Sequence, residues 1–413
     1  MIQREQYLKI LINESENNKI KVLTGLQGVG KSYLLEKIFQ PYLIEAGIKP
    51  HLILYLDLQK KKYANLNTVE EVMNYLSEQI DKQNRYYIFI DEIMQISDYE
   101  DLFEELLNIE NARIYVTASN KKILTSELQM RYSNKLCEIY IAPLTFKEFK
   151  DSYPNKIDDY SILKEYIAFG GMPELRKCKT DKEKEVYLIS LTESILQYVL
   201  DFNKIYYEES FLALVNLLAK HFGEFGHIYE IEDIMRKSDD QVTDKTLKIY
   251  ENYLIQSYLL HQINSYDIKK KRATRATKFF FADNGLLGAK NNFDRNNLKK
   301  ISAVVLNELM LKKYEVFSGK FETFYRGDDG KTYRKYISIP FVVKQSDGRL
   351  CYLDIASNTS ESIKECSKKF SYIRDSFKKI ILVMGNCETY FDEKGVVVMS
   401  VTNFLLNENS LDI

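Results

Sequence analysis

The sequence predicts an α/β fold for its first third, a parallel sheet covered by helices on both faces, followed by helical and α+β segments. Three observations carry this expectation. Largely apolar runs (Ile20–Leu23, His51–Leu58, Tyr86–Ile90, Arg113–Ala118) alternate with amphipathic helical patterns. The runs are continuous rather than alternating in polarity, as strands buried on both faces require. Between the first run and the next helix stands Gly25-x-x-x-x-Gly30-Lys31-Ser32, the setting of a phosphate-binding loop.

The elements follow in order. Tyr7, Leu8, Ile10 and Leu11 recur at helical spacing, and Asn13 to Asn18 form a polar turn. After the glycine loop, Tyr33 to Phe39 read as a helix, and a further helix ends near Gly47 and Pro50. His51–Leu58 is the second strand, Val69–Ile80 a helix, and Tyr86–Ile90 a strand that runs into Asp91-Glu92. Arg113 to Asn120 is the next strand, ending in small polar residues. Met130-Arg131-Tyr132 precedes a fifth strand over Cys137–Ile141.

The glycine loop has a physical rationale. Without Cβ atoms the backbone curls so that its N–H groups face a phosphate oxygen, and the following helix aims its positive end at the same anion. Gly25, Gln27, Gly28, Val29, Gly30, Lys31, Ser32 and Tyr33 are the expected nucleotide contacts. Lys31 would reach the β- and γ-phosphates, and the Ser32 hydroxyl would take one Mg²⁺ position. Asp91 would hold Mg²⁺ opposite Ser32, and Glu92 would orient and deprotonate the attacking water. Asn120 is the expected polar positioner of that water, with Ser119 and Thr117 behind it; a loop-capping role is the alternative for each. ATP and Mg²⁺ are the implied substrate and ion.

Bulk properties limit the partners. The 413 residues imply more than one domain. With 58 basic and 59 acidic residues the formal net charge is −1, so no global field draws in nucleic acid or a membrane surface. No apolar run is long enough to span a bilayer, and the start of the chain lacks the pattern of a signal peptide, so the expectation is a cytoplasmic protein. The five cysteines and four histidines show neither C-x-x-C nor metal-ligand spacing.

The motifs Gly25 to Ser32, Ile88-Phe89-Ile90-Asp91-Glu92-Ile93, Val116 to Asn120, Met130-Arg131-Tyr132 and Pro143 to Phe149 occur in one order. Gly170-Gly171-Met172-Pro173 and Lys278 to Leu286 follow. The set resembles the bacterial and archaeal AAA-superfamily ATPases that carry a winged helix and a nuclease-like C-terminal domain. The resemblance implies that Arg131 stands where the family keeps an arginine. That makes it either a finger for the γ-phosphate, supplied in cis or by a neighbouring subunit of an oligomer, or a surface arginine. Arg4 and Tyr7 would lie near the adenine if the family geometry holds.

The expected organisation is an α/β P-loop NTPase parallel sheet over 1–158, a helical lid over 159–204, a winged helix over 205–290 and an α+β nuclease-like domain over 291–413. The Gly170-Gly171 pair would make the lid's sharp turn. The winged helix is read from helices at Phe211–Phe222, near Ile231–Met235 and at Thr243–Leu260, then a hairpin across His261–Ala282. That hairpin concentrates Lys269, Lys270, Lys271 and Arg272, with Arg275 and Lys278 beyond. It reads as a wing contacting the DNA backbone, as a solvated turn or as a wing used for protein contact.

The last segment resembles the PD-(D/E)XK nuclease core, whose chemistry needs an acid on the second strand and acid-x-Lys on the third to hold Mg²⁺ beside an activated water. Pro340 stands where the first acid belongs, Ala356 where the lysine belongs, and Ser302-Ala303 replace the usual Glu-Asn. Asp354 and Glu308 remain. The expectation is a domain without nuclease activity that either docks a protein partner or serves a structural role. The functional expectation is Mg²⁺-dependent ATP hydrolysis acting as a conformational switch. The alternative is a DNA-binding regulator whose basic hairpin makes the contact while ATP only sets conformation.

Overall fold

The computed structural model describes residues 2, 4–132, 134–153, 157–224, 242–294, 298–326, 329–345 and 347–411. The chain divides into two compact units, Met1–Pro143 with Gln256–Tyr258, and Leu144–Ile255 with Leu259–Ile413.

In the first unit β1 (Ile20–Thr24), β2 (Ile53–Asp57), β3 (Tyr86–Asp91), β4 (Ala112–Ala118) and β5 (Leu136–Tyr140) form one sheet of order β2-β3-β4-β1-β5. All neighbours are parallel. Every residue of β1, β3 and β4 is buried, which is why these runs carry no polar alternation. The helices are α1 (Glu5–Ser15), α2 (Lys31–Tyr33), α3 (Gln40–Glu45), α4 (Val69–Gln79), α5 (Tyr99–Leu107) and α6 (Ser126–Arg131). A π-helical turn over Leu34–Phe39 joins α2 to α3. Val72 and Leu76 of α4 and Leu102, Phe103 and Leu106 of α5 pack in one core with Val22, Ile88, Ile90 and Val116. Removing a ring as enclosed as Phe103 (0% exposed) would cost about 3–5 kcal/mol. Phe39, Phe89 and Tyr115 form a second cluster, with ring centroids 5.1–5.9 Å apart. Thr68 and Glu71 cap the start of α4 reciprocally.

The second unit contains α7 (Phe146–Asp151), α8 (Asp159–Phe169), α9 (Asp181–Asn203), α10 (Glu208–Lys220), α11 (Asp244–Gln256), α12 (Asn284–Lys290), α13 (Leu298–Leu311), α14 (Ser360–Phe370) and α15 (Val401–Leu406). Its strands are β6 (Leu260–Asp267), β7 (Arg272–Phe281), β8 (Glu315–Arg326), β9 (Thr332–Lys344), β10 (Leu350–Ser357), β11 (Lys378–Met384), β12 (Tyr390–Phe391) and β13 (Val397–Ser400). They form one mixed sheet of order β12-β13-β11-β10-β9-β8-β6-β7. Phe317, Phe321, Ile339, Tyr352, Ile381 and Val398 of this sheet bury against Phe370 of α14.

Several boundaries differ from the sequence reading. The hairpin expected as a wing is β6–β7, and it does not stand apart. β6 pairs in parallel with β8 from Ser265–Ser318 to Asp267–Lys320, so the hairpin extends the sheet of the last segment across the boundary drawn at 290. The helices expected as a lid, α8 and α9, cluster with the second unit, and the division falls at Pro143 rather than at 158. The helix expected near Ile231–Met235 lies outside the described residues.

An interlock explains why α8 and α9 group as they do. Asp283, at the start of α12, accepts the Gly171 N–H on Oδ2 at 2.6 Å and the Gly285 N–H on Oδ1 at 2.8 Å. A Cβ at Gly170 would lie 2.0 Å from Asp283 Oδ1, and one at Gly285 would lie 2.1 Å from the Phe169 carbonyl oxygen. The glycine pair expected as a lid turn is therefore the seat of a buried carboxylate. Burial raises the Asp283 pKa to about 6, against the pull of its N–H donors.

Candidate nucleotide site

Parallel pairing brings the functional segments to one edge. Ile90 lies opposite Val116 and Leu23 opposite Thr117, so the carboxyl ends of β3, β4 and β1 emerge side by side. In an open parallel sheet that edge is where ligands bind. Asp91 and Glu92 leave β3 there, Ser119 and Asn120 leave β4, and Gly25 opens the loop after β1.

The loop takes the backbone conformations that its glycines permit. Gly25, Gly28 and Gly30 have φ of 143°, 85° and 94°. A Cβ at Gly25 would lie 2.1 Å from the Ile141 carbonyl oxygen, so the loop passes directly against the chain leaving β5. Arg4 braces it from outside: its guanidinium donates to the Val29 carbonyl at 2.9 Å and to the Ala142 carbonyl at 2.8 Å, and stacks 4.5 Å above Tyr7. The Tyr7 hydroxyl accepts from Ala142 N–H at 3.1 Å. Arg4 and Tyr7 thus clamp the loop to β5.

At the centre, the Lys31 ammonium donates to the carbonyls of Gly25 (2.9 Å) and Leu26 (3.2 Å) and to the Ser119 hydroxyl (2.8 Å). It stands 3.7 Å from Glu92 Oε1. Burial draws the Lys31 pKa below the ordinary lysine value, while Glu92 and Asp91 oppose the shift.

Asp91 is 4% exposed and enclosed by hydroxyls. Thr117 donates to its Oδ1 and Tyr55 to its Oδ2 (3.1 Å), and the Ser32 hydroxyl lies near enough to favour its charged form. Burial nevertheless outweighs these donors and raises its pKa. Glu92 has a left-handed backbone (φ 54°), and its N–H donates to the Thr117 hydroxyl at 2.8 Å. Its carboxylate accepts from the Ser119 hydroxyl and from the Ser119 N–H at 3.3 Å.

The structure thus brings Lys31, Ser32, Asp91 and Glu92 together, with Ser119 linking Lys31 to Glu92 and Thr117 linking the two acids. It treats Asn120 differently. Its Oδ1 accepts from Lys122 N–H at 3.0 Å and caps a short 3₁₀ turn, while its buried Nδ2 has no hydrogen-bond partner among the described residues. Strand alternation puts Thr117 and Ser119 on one face and Asn120 on the other, so the two residues placed behind Asn120 are the ones that touch the acids. Arg131 lies elsewhere. It is half exposed at the end of α6, bonded to Glu104 of α5 at 2.7 Å and 3.6 Å from Asp101, because those acids offer the nearest counter-charge. Tyr55, read only as part of an apolar strand, is a further member of the site; its position opposite Phe89, two residues before Asp91, is the signal that could have found it.

The donor set fits a magnesium nucleotide. A glycine cradle surrounds an ammonium, a hydroxyl and a carboxylate already meet at Ser32 and Asp91, and a second carboxylate follows.

Among the described residues no helix is long and apolar enough to cross a membrane. Residues 17–150 match the family described as "AAA domain", and residues 160–297 match "Domain of unknown function (DUF8612)". The chain is similar to an "Uncharacterized protein" of Haemophilus influenzae, 28% identical over 418 residues and covering 98% of this chain and 99% of that protein. It is also similar to "Uncharacterized protein MJ1544" of Methanocaldococcus jannaschii, 25% identical over 303 residues, 71% of this chain and 66% of that one. Among solved structures, the Aeropyrum pernix ORC1 protein in complex with DNA aligns with 75% of this chain and 94% of its own, at 13% identity and a TM-score of 0.33, too distant to carry function. Residues 17–150, on the parallel sheet of the first unit, thus match an AAA domain, and the region that follows matches a domain of unknown function.

Proposed function

We propose that the chain binds ATP with Mg²⁺ and hydrolyses it, and that nucleotide state acts as a switch controlling how the second unit engages a partner. The observation that carries this reading is the meeting of Lys31, Ser32, Asp91 and Glu92 at the carboxyl edge of one parallel sheet. In this reading the loop N–H groups and Lys31 hold the phosphates, and Ser32 and Asp91 hold the metal. The ion would supply charge neutralisation on the β- and γ-phosphates. Glu92 takes a proton from the attacking water, and Ser119 fixes the direction of that carboxylate. Asn120, with its buried unpaired Nδ2, is the polar group left to orient the water. Arg131 would act only from a neighbouring copy, since in its own chain it is engaged on α5.

The switch reading draws on a three-residue return of the chain. Gln256–Tyr258, the end of α11 and the turn towards β6, cluster with the first unit. The Tyr258 ring stacks on Tyr140 with centroids 5.5 Å apart, Lys121 lies 5.0 Å above it, and its hydroxyl neighbours Thr24, the residue before Gly25. A shift in the loop or in the end of β4 would thus reach a segment bracketed by the second unit's sequence. The second unit itself we read as a docking module: Asp354 is 1% exposed and bonded to Lys369 at 2.8 Å, and Glu308 pairs with Lys312 at 3.4 Å. Neither carboxylate is offered to a metal.

Calorimetry with Mg-ATP and a phosphate-release assay test the site. Lys31→Ala should abolish binding, whereas Glu92→Gln should bind ATP and lose ~10²–10⁴-fold in turnover. Parent-level hydrolysis by both variants would overturn the assignment.

A further inference from the structure

The second unit carries a surface that the nucleotide reading does not use. β8 and β9 run on past the core, and beyond Thr323 and Ile337 their side chains lie in water. Phe324 is 60% exposed and Tyr336 53%, with Tyr325 and Tyr333 also exposed nearby. Pairing sets Phe324 opposite Arg334 and Glu322 opposite Tyr336. Lys320, Glu322, Phe324, Arg334 and Tyr336 therefore share one face of the hairpin. That face forms one wall of a trough of about 470 Å³ whose other wall is the β6–β7 turn with Lys269 and Lys270. A second trough of about 520 Å³ adjoins it at Lys269 and Phe321 and adds Lys271, Tyr372 and Arg374.

Charge and ring placement narrow the occupant. Cations outnumber carboxylates two to one along the two troughs. Asp267 stands 3.8 Å from Lys270, and Glu322 pairs with Arg334 at 2.6 Å. Lys320 and Arg334 lie 5.0 and 4.8 Å from the Tyr336 ring centre, and Lys269 lies 5.9 Å from that of Phe321. Tyr336 and Phe321 are thus flanked by positive charge, and Phe324 stands opposite Arg334 across the hairpin. Such a surface suits an anion with flat apolar faces. A duplex turns its phosphates outward and keeps its bases stacked inside, so it would use the cations and leave the rings wet. An acidic peptide would do the same. Unpaired bases use both, stacking on rings while the phosphates meet lysine and arginine.

We propose that the trough between the β6–β7 turn and the outer half of the β8–β9 hairpin binds single-stranded nucleic acid, bases stacking on Phe324 and Tyr336 and phosphates meeting Lys269, Lys320 and Arg334. This is independent of the nucleotide site and would hold if the chain never bound ATP.

Fluorescence anisotropy of the full chain with labelled oligo-dT, and with a duplex of equal length, across a salt series tests it. Oligo-dT should bind more tightly than the duplex. The double variant Phe324→Ala/Tyr336→Ala should weaken it about tenfold or more without changing the salt slope. Lys269→Ala/Lys320→Ala should instead flatten that slope by roughly 1–2. Equal affinity for duplex with no effect of the ring variant, no binding at low salt, or displacement by polyglutamate as readily as by oligo-dT would each overturn the proposal. Photocrosslinking of the unaltered chain to an oligonucleotide carrying 5-iododeoxyuridine gives a check without mutation: adducts on Phe324 or Tyr336 support it, and adducts confined elsewhere overturn it.

Discussion

The Ser119 hydroxyl accepts the Lys31 ammonium at 2.8 Å while donating to the Glu92 carboxylate, so one side chain links the loop lysine to the expected base. Ser119→Ala keeps the loop and its glycines but frees Glu92. The expected outcome is ATP affinity within a few-fold of the parent and turnover reduced by ~10-fold or more, below the full general-base contribution. Calorimetry paired with phosphate release separates the two effects; a loss confined to affinity would contradict this role.

Gly25 is held against β5 rather than merely permitted to bend. Gly25→Ala would force its Cβ onto the Ile141 carbonyl oxygen at 2.1 Å, in a backbone region that alanine avoids, and should abolish nucleotide binding and lower stability by more than ~1 kcal/mol. Gly47→Ala is the control: its φ is also positive at 96°, but nothing lies within 4 Å of the added methyl. Thermal unfolding should show a much smaller shift there.

Asp283 gives the second unit a pH signature. Its pKa is about 6 in the fold against an ordinary 3.8, so the folded chain binds the extra proton between those values. The stability this group contributes is complete below about pH 4 and is lost as pH rises through about 6. Asp283→Asn should remove that slope. It should also destabilise at every pH by ~1–3 kcal/mol, because an amide turns a donor toward an N–H that the carboxylate accepted. Denaturant unfolding from pH 4 to 7 would show both effects.

Tyr258 tests the switch. Tyr258→Phe removes only the hydroxyl beside Thr24 and should cost no more than about 1 kcal/mol, whereas Tyr258→Ala also loses the stack on Tyr140. If this segment relays nucleotide state, the alanine variant should hydrolyse ATP near the parent rate yet lose any ATP-dependent change in hydrogen exchange within β6 and α11. An unchanged exchange response would remove Tyr258 from the relay.

How far the sequence could be read depended on the range of the interaction. Gly25 to Ser32 and Asp91-Glu92 are contiguous and sit at strand ends, so local pattern alone located them. Choosing Asn120 over Ser119 required knowing the parity of β4, which an all-apolar strand hides because both its faces are buried. The outer half of β8 was missed because Glu322 to Arg326 lie beyond the core and carry no apolar alternation. The pairing of β6 with β8, and of Gly171 with Asp283, joins positions far apart in the chain and leaves no local trace. The eight-stranded sheet was therefore read as two separate modules.

The clasp between Gly171 and Asp283 has a mechanical corollary. Everything from α9 to β7 is a loop whose two ends are fastened to each other without a covalent bond, inside a solvent-free joint. Tyr206, 93% exposed between α9 and α10, offers a protease an entry within that loop. A nick there would give fragments of 206 and 207 residues that run together at half the chain's mass on a denaturing gel, yet a single full-mass particle in native buffer, since severing the strand leaves its knot tied.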